Sequence, residues 1–378
     1  MEELSLYPLK FMPLFKNKIW GGNKIKNSLG IDYDPLPNCG EMWILSGVEG
    51  NESVVENGFL AENNLNEVLE IYMADLVGEV NYQRFGDEFP ILIKIIDAVD
   101  KLSIQVHPDD ALARKRGLQN GKTEMWYIMD SEKDSTIIDG FSKLLNKNTY
   151  QKALDNNTLV DNLHEEYPQK GDVFFIPGGR VHALGKGLLL AEIQQTSDTT
   201  YRIFDWNRVD KDGKSRELHT AEALDAIDFS VITNGKSEYS YHKNSTVELA
   251  QCPYFTTNLI AFDKPIRKNF EELDSFVAYC CTEGVCAVKS MGHIIPMRAG
   301  ECVLIPAVAD IVELFPEGEA KLLEIYIEGE EGVVVSADNH EHCGCEDHHH
   351  HDGHCGCEDH HHHDGHCGCG GHHNHCDC

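Results

Sequence analysis

The chain has 378 residues, 41% of them hydrophobic and 25% charged, with 32 Lys and Arg against 63 Asp and Glu for a net charge of −31. That length accommodates a sizeable core and two domains of ordinary size, and the composition is that of a globular chain. Basic residues cluster nowhere, which argues against nucleic acid and anionic membrane surfaces as partners.

Taken in chain order, the opening stretch MEELSLYPLKFMPLFKNKIW lacks a basic segment followed by an unbroken apolar run, so no signal peptide is expected. Residues 64–80 carry apolar side chains at helical spacing (Leu65, Val68, Leu69, Tyr72, Leu76) and predict one helix. The run FPILIKIIDAV at 89–99 is split by Lys94 and too short to cross a membrane. β-rich segments are expected at 90–107, 123–130, 171–176 and 186–195, with a further helix over 146–166 that uses Leu154, Leu159 and Leu163 for a core. A second β-rich run extends from about 245 to 328. Six cysteines (Cys39, Cys252, Cys280, Cys281, Cys286, Cys302) are scattered in no framework. With no export signal they read as reduced thiols, and the expected compartment is the cytoplasm.

One constellation points to chemistry. In KLSIQVHPDD, Leu102, Ile104 and Val106 alternate with Ser103, Gln105 and His107, so a strand puts Gln105 and His107 on one face and the aliphatic residues on the other. Glu124 starts the next apolar-rich strand in GKTEMWYIMD. In KGDVFFIPGGRVHAL a buried run is followed by a Pro-Gly-Gly turn and then by His182. His, Glu and His with a Gln beside them form a mixed nitrogen and oxygen set, suited to zinc or another borderline divalent ion with a position left for water or substrate.

The stretch GDVFFIPGGRVH resembles the second motif of the cupins, in which a Gly and a Pro-Gly turn precede a metal-binding His on a small β-barrel. LSIQVHPDD together with GKTEMWYI and QQTSDTTYRIFDWNR resembles a narrower family, the type I mannose-6-phosphate isomerases. KIWGG (18–22), CGEMWILSG (39–47) and FPILIKIIDA (89–98) match that family's other landmarks in order, and the likeness runs from about residue 8 to 328 in the compact bacterial form. The resemblance implies a mainly β fold with helical insertions and two cupin-like β-barrels (jelly rolls). The catalytic domain would span 1–235, and 236–330 would be a degenerate second domain without metal ligands. It implies one zinc ion held by Gln105, His107, Glu124 and His182, and a phosphosugar substrate. Lys122 matches a lysine lining the family's site, Arg202 the arginine taken as catalytic, and Asp198 a frequent aspartate. The longer enzymes read SDNVVR, whereas Thr199, Thr200 and Tyr201 stand here between Asp198 and Arg202.

The implied reaction interconverts an aldose and a ketose through an enediol(ate), with charge developing on substrate oxygens that a Lewis acid and Arg202 can stabilise. The base that moves the proton is left open among Glu192, Asp198, Lys122 and a water on the metal. Lys122 and Arg202 are the nearest candidates for the phosphate. In the second segment, AGECVLIPAVADI (299–311) echoes KGDVFFIPGGRVH (170–182). Aligned on Pro306 and Pro177, it has Ile311 where the first has His182.

The C-terminus is of another kind. HCGCEDHHHHDG at 342–353 is repeated at 354–365 and frays into HCGCGGHHNHCDC. From His340 onward there are fifteen His, eight Cys and eight carboxylates without Lys or Arg, which leaves −23 of the net charge on the body. Nothing in 339–378 can build a core, so disorder without metal is expected. Imidazole and partly ionised thiolate ligands suit zinc, nickel or copper, in numbers sufficient for about five tetrahedral sites. Two other readings stand beside the isomerase. A metal-storage protein on a cupin scaffold would be supported by the tail alone. A cupin dioxygenase would place two His close together around iron, where this chain has Gln-x-His.

Overall fold

The computed structural model describes residues 5–209 and 212–328; the 339–378 tail and its expected disorder lie outside them. The described chain is mainly β, in four antiparallel sheets. A six-stranded sheet runs in the order Val173–Ile176, Glu124–Ser131, Leu188–Gln195, Ile91–Ala98, Glu41–Leu45, Leu14–Lys16. A five-stranded sheet runs Tyr201–Phe204, Ile104–Val106, His182–Leu184, Ile137–Phe141, Leu163–Glu166. Downstream, Ser245–Cys252, Phe255–Phe262, Ala320–Tyr326, Val277–Glu283 and Cys302–Ile305 form a seven-stranded sheet completed by Leu9–Met12 and Val54–Val55. Ile266–Asn269, Ile311–Pro316, Val285–Ser290 and His293–Arg298 make the fourth. The N-terminal strand thus crosses the expected division at 235, with Leu9 opposite Leu304.

Within the run at 89–99, Ile91–Ala98 is a strand buried on both faces. Ile91, Ile93 and Ile95 enter a large core shared with Leu304, Leu323 and Ile325 of the downstream sheet. On the other face Ile96 and Ala98 join Trp20, Trp126, Phe174 and Ile176. Each such fully buried aliphatic side chain contributes about 1.5–3 kcal/mol, so Lys94, 4% exposed within that strand, requires a partner.

Two helical expectations are corrected. Residues 64–80 form not one helix but Leu65–Tyr72, Ala74–Val77 and the start of Glu79–Phe85. Gly78 sits at φ +93°, where a Cβ would lie 2.3 Å from the Asp274 carbonyl oxygen. Asp274 accepts from the Glu79 and Val80 amides at 2.7 and 2.9 Å, so a distant aspartate restarts the helix. The 146–166 helix stops at Asp155, and after Val160–Asn162 the chain turns into the strand Leu163–Glu166, where Leu163 pairs with Phe141. Leu102 also departs from expectation. It precedes the Ile104–Val106 strand and packs with Trp20 and Trp126, apart from Ile104 and Val106. The six body cysteines are free.

Candidate active site

The site lies where strands of the six- and five-stranded sheets present polar residues to one another. Ile104 and Val106 pack outward with Phe141 and Tyr150, which turns Gln105 inward. Register then builds a row across four strands, with Arg202 opposite Gln105, Gln105 opposite His182, and His182 opposite Asp139. Adjacent members of such a row stand about 4.5–5.5 Å apart. Glu124 comes from the other sheet, paired with Gln194 and Ile176.

His107 follows its strand into the HPDD turn. That turn is clasped by two glycines whose Cβ would collide with it, Gly121 at 2.6 Å from Asp109 C and Gly178 at 2.8 Å from Asp109 Cα. Asp109 caps the helix Asp110–Lys115 by accepting from Leu112 N. The His107 carbonyl accepts from Gly179 N and the Pro108 carbonyl from Lys122 N, which ties the turn to both neighbouring segments.

His107, Glu124 and His182 are each 1% exposed, and their ligand atoms all lie within 4.8 Å of one another. His107 Nε2 and Glu124 Oε2 are 3.5 Å apart, as are His182 Nε2 and Glu124 Oε1. Donors about 2.0–2.2 Å from a tetrahedral ion stand about 3.4 Å from each other, so the spacing fits a first-row divalent cation. The imidazoles are prepared for one. His107 Nδ1 donates to the Thr199 carbonyl at 2.9 Å and His182 Nδ1 to the Arg180 carbonyl at 2.8 Å, which leaves both Nε2 lone pairs facing inward. Among the described residues, buried His107 Nε2 has no hydrogen-bond partner. Burial holds His107 well below the usual imidazole range and lowers His182 to about 4, so neither carries a proton that a cation must displace. Gln105 Nε2 lies 3.3 Å from His182 Nε2, and Oε1 lies 3.3 Å from Ser103 Oγ. A half-turn of the amide exchanges the two and brings the carbonyl oxygen, the atom that ligates cations, to the His182 side.

Around this group runs a buried charged row whose pairing the sequence pattern did not reveal. Lys94 Nζ meets Glu192 Oε1 at 3.1 Å, both side chains almost wholly buried, and Trp126 Nε1 donates to Glu192 Oε2 at 3.2 Å. Trp43 Nε1 donates to Glu41 Oε2, and Lys94 Nζ lies 5.1 Å from the centre of the Trp43 ring. Lys122, 5% exposed, places Nζ 3.1 Å from Glu124 Oε2. Burial and the nearby Glu192 push the Glu124 carboxyl up to about 7 against the opposing pull of Lys122 and Lys94. Lys94, with Lys122, overcomes burial to keep Glu192 below the usual carboxylate range. Lys122 and Glu192 are among the residues the sequence reading singles out, whereas for Lys94 the only signal was a lysine interrupting an apolar strand. Replacing it leaves a buried carboxylate unpaired, so Lys94→Met should cost about 3–5 kcal/mol in chemical denaturation. A double variant that also replaces Glu192 with Leu should recover most of that loss.

The remaining expected residues divide. Arg202 is half-buried in the cross-strand row, donates Nη1 to the Glu217 carbonyl at 2.8 Å, and makes no ion pair among the described residues. Asp198 is exposed on the loop between Leu188–Gln195 and Tyr201–Phe204, outside the buried group. Arg180, not anticipated, pairs with buried Asp139 at 2.7 Å beside His182.

The downstream sheets repeat this framework without its donors. Gly171 and Gly300 have φ of 94° and 90°, and their amides donate at 2.8 Å to Ile128 and Cys281 respectively. Register then matches Ile305 opposite Val277 to Ile176 opposite Glu124, and Ile311 opposite Asn269 to His182 opposite Gln105. Where the first segment has Glu and His, the second has Val277 and Ile311. Among the described residues, His107, Glu124 and His182 are the one group of His, Cys, Asp and Glu side chains close enough to share a metal ion.

Antiparallel sheets facing across an interior, with two neutral imidazoles and a carboxylate gathered there, define a cupin-type protein with a centre competent to bind metal. The family model described as phosphomannose isomerase type I, catalytic domain, matches residues 8–135. The mannose-6-phosphate isomerase ManA of Bacillus subtilis (strain 168) is 34% identical over 306 residues, covering 80% of this chain and 94% of that protein. The mannose-6-phosphate isomerase of Streptococcus mutans is 36% identical over 251 residues, 66% of this chain and 77% of that one. The crystal structure of the mannose 6-phosphate isomerase from Bacillus subtilis superposes with a TM-score of 0.76 at 30% identity, covering 85% of this chain and 99% of that one. The chain belongs to the type I phosphomannose isomerase family.

Proposed function

We propose that the chain interconverts mannose 6-phosphate and fructose 6-phosphate as an aldose–ketose isomerase, with one zinc ion held by Gln105, His107, Glu124 and His182. The observation that carries this reading is the buried His107–Glu124–His182 group, with its inward lone pairs and Lys122 beside it. When bound, the cation supplies Lewis-acid stabilisation of charge on substrate oxygens, worth several kcal/mol. The chain's own residues do the rest. Lys122 and Arg202 bring two cations into a very acidic protein and hold the phosphate and the developing enediolate charge. Asp198, exposed on its loop, meets the substrate at the rim. Glu192, kept ionised by Lys94, is the buried carboxylate suited to carry the proton between neighbouring carbons. The interior around Trp126 and Phe174 excludes water from that exchange.

In this reading the two halves are cupin-like barrels, 1–235 catalytic and 236–330 degenerate. The division concerns chemistry, because Leu9–Met12 hydrogen-bonds into the downstream sheet. The 339–378 tail is an appendage that binds further zinc, nickel or copper, and the protein works in the cytoplasm. A coupled assay of mannose 6-phosphate turnover, with and without chelator, tests the proposal. The expected result is activity that chelator removes and zinc restores. A chain ending after Ser336 should keep full turnover and one tightly held metal ion. Metal capacity without turnover in the full chain would favour the storage reading.

A further inference from the structure

Lys122 and Glu124 reach the site on the segment 121–124, and its backbone is held from several sides. Asp110 Oδ1 accepts from Gly121 N at 2.9 Å and from Gln195 Nε2 at 3.0 Å. Gln195 Oε1 in turn accepts from Thr123 N at 2.8 Å. Lys122 N donates to the Pro108 carbonyl at 2.9 Å, and Gly178 N reaches Thr123 Oγ1 at 3.3 Å. Asp110 is thus the hub of the segment, and its second oxygen, Oδ2, accepts from Tyr254 Oη at 2.8 Å. Tyr254 belongs to the turn between Ser245–Cys252 and Phe255–Phe262, two strands of the downstream seven-stranded sheet. The same turn is gripped independently by Arg84, whose Nη1 donates to the Pro253 carbonyl at 2.6 Å and whose guanidinium lies 5.7 Å from the centre of the Tyr254 ring.

We propose that Tyr254 is a positioning residue for the active site: through Asp110 it fixes the 121–124 segment, and with it the placement of Lys122 and Glu124. The half that lacks metal ligands thereby contributes to the reaction of the half that has them. Only one hydroxyl separates this role from simple packing, because the ring and its arginine contact would survive without it. Glu124 must present its two oxygens to two imidazoles at once, both at 3.5 Å. A displacement of about 1 Å in its segment spoils both approaches. The inference rests on the reading of Lys122 and Glu124 as site residues.

Tyr254→Phe removes the hydroxyl and keeps the ring. Its expected effects are faster amide hydrogen exchange in a peptide spanning 118–124, about tenfold faster zinc release to a chromogenic chelator, and kcat/KM lower by about tenfold. The unfolding midpoint should stay near that of the wild type. Combined with Asp110→Asn, the effect should be far less than additive, because the Tyr254 hydroxyl reaches the segment through the Asp110 carboxylate. Arg84→Met loosens the same turn without touching Asp110; it should lower the unfolding midpoint and leave exchange at 118–124 and turnover unchanged. The proposal is overturned if Tyr254→Phe leaves exchange at 118–124 as in the wild type, or if Arg84→Met accelerates it equally. If Asp110→Asn does not fold, the Phe and Met variants decide the matter alone. If the wild type proves not to be an isomerase, amide exchange and zinc release still test the positioning role.

Discussion

His182→Ala should abolish isomerisation, by more than about a thousandfold or 4 kcal/mol in the transition state, and should strip the body of its metal while its sheets remain paired. His182 contributes a neutral nitrogen whose direction is set by the Nδ1 bond to the Arg180 carbonyl, and it is one of only two imidazoles in the group. Losing it leaves Glu124 with a single imidazole to share a cation and removes the neighbour of Gln105. Its ring also packs edge-on against Trp126 at 5.5 Å, so alanine leaves a void that costs stability by a separate route. His182→Gln fills most of that void and separates the two effects. It should unfold close to the metal-free wild type and still lack turnover. Metal counted by mass spectrometry should fall by one equivalent in a chain ending after Ser336. Added zinc should raise the unfolding midpoint of the wild type and not that of the variant, since a ligand stabilises only the state that binds it. A variant that kept both its turnover and its metal would remove His182 from the centre.

The parts of this site legible in the sequence are those written in local periodicity. Gln105 alternates with Ile104 and Val106 within one short strand and His107 follows directly after it, and His182 follows a turn whose glycine is required by the close approach of Asp109. The partner of Lys94 could not be read that way. Glu192 lies 98 residues away, and their meeting is a consequence of the pairing between Leu188–Gln195 and Ile91–Ala98. The same holds for the Arg202–Gln105–His182–Asp139 row, which exists only once four strands have found their register. Helical spacing over 64–80 was real, yet the helix breaks at Met73, where φ is +47°, and again at Gly78, after which Asp274, from nearly two hundred residues downstream, caps Glu79 and Val80. Leu163 was assigned to a helix on apolar spacing alone, and its pairing with Phe141 prevailed. Composition marked the C-terminal tail as chemically different, but it could not show that Leu9–Met12 would close a sheet made of downstream strands.

Arg202→Ala should lower turnover by about a hundredfold or more, a transition-state loss of about 2.7 kcal/mol, with metal content unchanged. The two halves of that expectation have different origins. Metal should stay because Arg202 stands in the row beside Gln105 without touching the His107–Glu124–His182 group, and among the described residues its one side-chain hydrogen bond goes to the Glu217 carbonyl. Turnover should fall because the guanidinium has a buried Nε with no hydrogen-bond partner and forms no ion pair among the described residues. Burial and the nearby Arg216 pull its pKa below the usual arginine range. A cation held under those conditions is stabilised when negative charge develops on the substrate beside it, and that charge is largest in the enediolate-like transition state. Lysine at 202 should rescue only part of the rate, since a compact ammonium cannot reproduce two parallel N–H donors. Steady-state kinetics distinguishes the possible roles. A fall in kcat with KM nearly unchanged assigns Arg202 to the developing charge. A rise in KM alone assigns it to ground-state binding of the phosphate, and the enediolate role then passes to Lys122, the buried cation 3.1 Å from Glu124.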